Sequence, residues 1–85
     1  MRATDIIAEI GSSHHGVMAW AIELVSVAAQ CCATSVKFQY FGDPVALAKR
    51  RKLPASYADI YSRFAVPFEW LGPLRERARF HGLRF

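Results

Sequence analysis

From Val17 to Cys32 the sequence spells a helix with almost no polar side. Glu23, Ser26 and Gln30, at i, i+3 and i+7, fall on one narrow stripe, and most of what lies between them is apolar or small. Such a helix has most of its circumference covered, by a sheet and by neighbouring helices. That is more burial than two short strands can provide. The stretch is also too short and too interrupted for the roughly 20 apolar residues of a membrane span.

The flanks supply the strands. Residues 5–11 alternate, with Ile6, Ala8 and Ile10 on one face and Ile7, Glu9 and Gly11 on the other. The turn-like GSSHHG follows. A second strand reads SVKFQYF over residues 35–41, with Val36, Phe38 and Tyr40 pointing one way and Ser35, Lys37, Gln39 and Phe41 the other, until Gly42-Asp43-Pro44 breaks it. Residues 45–66 predict a mixed connection with short helices near 45–51 and 57–63. A last helix is expected over about 68–81, with Pro73 in its first turn and Gly82 as the residue that ends it. Leu83-Arg84-Phe85 then reads as the start of a third strand. Strand, helix, strand, connection, helix and strand start predict an α/β chain of parallel βα units.

Composition narrows the function classes. The chain has 85 residues, enough for one small domain, and 53% of them are hydrophobic, which argues against disorder. The adjacent Cys31 and Cys32 point about 100° apart on a helix and lack zinc or redox spacing, so they are expected as free thiols packed in the helix. The net charge is +4, with Lys49-Arg50-Arg51-Lys52 in one run and Arg75, Arg77, Arg79 and Arg84 near the end. No zinc spacing, aromatic-rich strand pair or glycine-rich phosphate motif accompanies them, so a basic nucleic-acid-binding module is the second-ranked class. The chain opens without a basic leader and apolar signal region, which predicts a cytoplasmic protein without membrane association.

Chemistry concentrates on the polar faces of the two strands. Both strands put an apolar face under the helices, and Glu9, Lys37 and Gln39 on the opposite one. In a parallel β/α barrel that opposite face is the interior, and barrel enzymes place catalytic groups near the carboxyl ends of its strands. A buried carboxylate needs a partner, and Lys37 on the neighbouring strand is the obvious one. A purely structural ion pair satisfies the same pattern. His14 and His15 follow the first strand, without the i, i+4 spacing of a helical metal motif.

IIAEIGSSHHG followed by a helix and then SVKFQYF resembles the opening of the sialic acid synthase family, the phosphoenolpyruvate-dependent N-acetylneuraminate synthases. The family's first strand reads A-E-I-G-x-N-H-x-G and its second carries V-K-F-Q. Ala8, Glu9, Ile10, Gly11, His14 and Gly16 match the first motif, and Val36, Lys37, Phe38 and Gln39 the second. FEWLGPLRERARFHGLRF is similar to the family's second helix and third-strand entry. Ser13 and Tyr40 depart from the family's asparagine and frequent threonine, and the chain has no asparagine at all.

The resemblance implies a truncated TIM (β/α)₈ barrel, residues 1–85 being its first two βα units and the start of a third strand. A whole barrel needs about 250 residues. It further implies a carbohydrate-biosynthetic transferase that joins phosphoenolpyruvate to an N-acetylated amino sugar by a C–C bond. A related nonulosonic acid or spore-coat polysaccharide synthase is the alternative within the class. By position, Glu9 would be the catalytic acid–base or orienting group. Lys37 would neutralise phosphoenolpyruvate, Gln39 would hydrogen-bond substrate, and His14 would shape the mouth of the site. A divalent metal, Mn or Mg, is implied with ligands on later strands, and full-length relatives are expected as homodimers. The 85-residue chain alone is expected to be inactive.

Overall fold

The computed structural model describes residues 4–85. Strand β1 (Ile7–Gly11) leads through a tight loop into helix α1 (Met18–Gln30), which returns to strand β2 (Ser35–Phe38). The two strands pair in parallel, with Ile7 opposite Ser35, Ala8 opposite Val36 and Glu9 opposite Lys37. After β2 come the short helices α2 (Pro44–Arg50) and α3 (Ser56–Phe64), a 3₁₀ turn at Phe68–Trp70, and α4 (Leu71–Phe80). Arg84 then bridges in parallel to Ser35, on the opposite side of β2 from β1. The expected third strand therefore begins where a barrel would continue.

Alternation decides which face is packed. Ile10, Val36, Leu74, Ala78 and Leu83 join Ala21, Val25 and Ala28 of α1 in one core, with Ala8 and Phe38 against its edge. Two helices thus cover one side of the sheet. Ser26, from the polar stripe of α1, meets Nε2 of His81 at 3.0 Å and ties α1 to the end of α4. The all-round covering expected for α1 is not reached within this chain, because Trp20 is 53% and Val27 40% exposed. Only the side bearing Ala21, Val25 and Ala28 is buried.

Three helices end in the same way. After α1, α2 and α4 the residues Cys32, Lys52 and Gly82 take left-handed φ angles of 67°, 55° and 73°. Each donates its N–H back to a carbonyl of the last turn (Ala29, Lys49, Arg79), and the following residue donates to Ala28, Ala48 or Ala78. This double hydrogen bond satisfies carbonyls that the helix leaves open. It also corrects the placement of the cysteines. Both are free, but Cys31 caps α1 and Cys32 lies beyond it, and both are exposed rather than packed in the helix.

The second strand is shorter than the alternation predicts. At Gly11 the register shifts, so that Gly11 rather than Ile10 stands opposite Phe38. Only one backbone bond, from Gln39 N–H to the Gly11 carbonyl at 3.3 Å, continues beyond the paired residues. Asp43 then caps α2, its carboxylate accepting from the N–H groups of Val45 and Ala46, with Pro44 in the first turn.

Candidate active site

Glu9, the central residue of β1, and Lys37, the third of four in β2, stand side by side on the face opposite the helices. The Lys37 Nζ lies 3.4 Å from Glu9 Oε2. Direct opposition in a parallel pair brings their side chains together, as the strand pattern requires. Here the structure changes one expectation. The pair was expected to be buried, but the Glu9 and Lys37 side chains are half or more exposed, because this face is open in an 85-residue chain.

Gly11 shapes the ground beside Glu9. Its φ of +57° belongs to the left-handed region that a side chain rarely adopts, and a Cβ there would approach Glu9 Oε1 to 3.3 Å. The carboxylate therefore folds over a bare backbone. One residue on, the Ser12 hydroxyl donates to Oε1 of Gln39 at 3.3 Å. Glu9 and Lys37 thus share one face, as the strand pattern predicts, while Gln39 lies one residue past β2, held by its N–H to the Gly11 carbonyl and by the Ser12 hydroxyl. Ser12 joins them, and no motif singled it out.

His14 is placed differently. It is fully buried, its ring centroid 5.4 Å from that of Trp70 and 6.3 Å from that of Phe38. Its Nδ1 accepts the Gly16 N–H at 2.9 Å, while Nε2 is buried without a hydrogen-bond partner. Desolvation holds its pKa below the usual histidine value, and the neighbouring charge of His15 lowers it further. The side chain packs beneath the strand ends and does not line the open face. His15, by contrast, is exposed and stands edge-on to Trp20 of α1 and Phe64 of α3.

Among the described residues, no three His, Cys, Asp or Glu side chains converge closely enough to hold an ion. Nor is any helix among those residues long and apolar enough to cross a membrane.

No family model and no curated protein matches the sequence. Solved structures do match. The N-acetylneuraminic acid (sialic acid) synthetase of Leptospira borgpetersenii superposes over 96% of this chain with a TM-score of 0.81 at 22% identity. The spore coat polysaccharide biosynthesis protein spsE of Bacillus subtilis does so over 93%, with a TM-score of 0.68 at 34% identity. The chain spans 27% of the first protein and 22% of the second, about a quarter of each. Over these α/β units, in backbone and in sequence, the chain resembles the amino-terminal part of the sialic acid synthase family, as the first βα units of its barrel.

Proposed function

We propose that this chain supplies the first two βα units of a sugar-acid synthase that condenses phosphoenolpyruvate with an N-acetylated amino sugar. The observation that carries the reading is the Glu9–Lys37 pair, 3.4 Å apart on directly opposed residues of two parallel strands, on the face away from the helices. In the assembled barrel that face turns inward, where its dielectric falls and each charge acts more strongly.

The reaction needs an anion held and protons moved. The enol C3 of phosphoenolpyruvate forms the new bond to the sugar aldehyde carbon, whose oxygen takes up a proton. Water adds at C2 and loses a proton. The tetrahedral centre then collapses to the ketone, releasing phosphate as the C2–O bond breaks. Lys37 is suited to neutralise phosphoenolpyruvate, its ammonium being free to exchange Glu9 for a carboxylate or phosphate. Glu9 is suited to accept and return the proton of the adding water or the aldehyde oxygen. Gln39, steadied by Ser12, offers an amide to a substrate hydroxyl or carboxylate.

The spore-coat protein, higher in identity (34% against 22%) and lower in TM-score (0.68 against 0.81), supports a related polysaccharide sugar-acid synthase as the alternative within the class. A chimera tests both statements. Residues 4–85 are grafted in place of the matching segment of the Bacillus subtilis protein, and phosphate release from phosphoenolpyruvate is followed with a panel of N-acetylated amino sugars. Release that depends on one of those sugars is expected. A folded chimera that leaves phosphoenolpyruvate intact with every sugar contradicts the reading.

A further inference from the structure

We propose that His14 is a positioning residue for Gln39: buried as the Nε2–H tautomer, it pins the loop between β1 and α1 and thereby fixes the Ser12 hydroxyl and the Phe38–Gln39 strand end. The proposal builds on Gln39 as a substrate contact, but His14 itself is given no contact with substrate.

Two physical links lead from His14 to Gln39. The first runs through the loop. Its Nδ1 accepts the Gly16 N–H at 2.9 Å, which requires the ring proton to sit on Nε2. The bond closes a turn whose other backbone bonds run from Ser13 to Ile10, from His15 to Ser12 and from Val17 to His14. Ser12 lies inside that turn, and its hydroxyl reaches Gln39. The second link is direct packing. The imidazole packs near Phe38, the residue before Gln39, and stands edge-on to Trp70. The loop's other end is clamped as well. Gly16 has φ +75°, and a Cβ there would come within 2.6 Å of the Arg63 carbonyl oxygen, so the backbones of the loop and of α3 touch.

This arrangement works in one protonation state only. A proton on Nδ1 would turn the acceptor into a second donor facing the Gly16 N–H, and would place a charge between two apolar rings. The rings of Phe38 and Trp70 do not titrate, and the titratable group acting on His14 is its neighbour His15. Glu9 and Lys37 stand on the exposed, opposite face of the sheet. Loop opening is therefore linked to uptake of one proton by His14.

Amide hydrogen exchange and nuclear magnetic resonance of the 85-residue chain test this without substrate, so the outcome is independent of whether the synthase reading holds. Three chains are compared: the wild type, His14→Asn and His14→Phe. Asparagine keeps an acceptor near the Nδ1 position and does not titrate. Phenylalanine keeps the bulk and has no acceptor. In the wild type, opening at Gly16 should rise by up to about tenfold per pH unit as pH falls from about 6.5 to the depressed pKa of His14, while the Val25 amide of α1 stays protected. His14→Asn, which retains His15, should hold Gly16 protected at every pH and keep the wild-type signals of the Gln39 side-chain amide. His14→Phe should lose Gly16 protection at all pH values and average the Gln39 signals. Gly16 protection that ignores pH in the wild type overturns the proposal. So does loss of Gly16 and Val25 protection together, and the wild-type series decides this even if His14→Phe does not fold.

Discussion

Lys37 and Glu9 face each other across the strand pair, but in solvent, and this separates their two roles. An exposed ion pair contributes well under about 1 kcal/mol, since water screens both charges. Lys37→Ala should therefore leave the thermal midpoint of the 85-residue chain almost unmoved. In the chimera the same substitution should raise the KM for phosphoenolpyruvate at least tenfold with a smaller effect on kcat, because an anion contact is lost. Steady-state kinetics beside a melt checks both halves. His14 gives the opposite signature. Its pKa in the folded chain is depressed, so between about 6.5 and that lower value the unfolded chain binds more protons than the folded one. Stability is therefore full above this window and is lost as pH falls through it. Urea midpoints measured from pH 7.5 downward should decline in the wild type and decline less in His14→Asn. The facing of Glu9 and Lys37 was legible because a strand's period of two assigns faces outright, whereas Gln39 lies past the end of β2. His14 was not, because its burial comes from Trp70 and Phe38, which only the folded chain brings to it.

Among the elements, the repeated helix ending shows how much a local pattern can conceal. Gly82 announces itself as a helix terminator, whereas Cys32 and Lys52 do the same work with side chains in a left-handed conformation. That conformation costs an L-residue roughly 1–2 kcal/mol, partly offset by the flexibility glycine would add to the unfolded chain. Lys52→Gly should thus raise the midpoint by a small margin, and Gly82→Ala should lower it. Gly16→Ala should be worse than Gly82→Ala, because a Cβ at 16 meets the Arg63 carbonyl while one at 82 meets open space. Thermal melts of the three variants give the order directly. Helix α1 was legible from its apolar spacing and α4 from Pro73 and Gly82, and the short helices α2 and α3 lie within a residue of the 45–51 and 57–63 expected in the connection. The end of β2 was not, because a register shift at Gly11 is a property of two strands together.

At the scale of the whole molecule, one surface is left open. The Cα radius of gyration is 14.4 Å, against about 12 Å for a compact chain of this length, and the extents are 48 × 27 × 17 Å. The accessible surface of 6008 Å² likewise exceeds the roughly 5,100 Å² of a compact monomer of this mass. Ile7, Phe68 and Phe80 are each more than 60% exposed, and among the described residues β1 has no partner on its outer edge. Such a slab buries little per residue, so the isolated chain should melt broadly and at low temperature, and should turn over no phosphoenolpyruvate. A sharp cooperative melt of a monomer would contradict this. The proposed function places a catalytic carboxylate, Glu9, on the open face. The kcat of the Glu9→Gln chimera, measured beside its thermal midpoint, tests it most directly. A fall in kcat of about 10²–10⁴-fold with an unchanged midpoint is the predicted result. A near-normal kcat in a folded protein, whatever its midpoint, contradicts the claim.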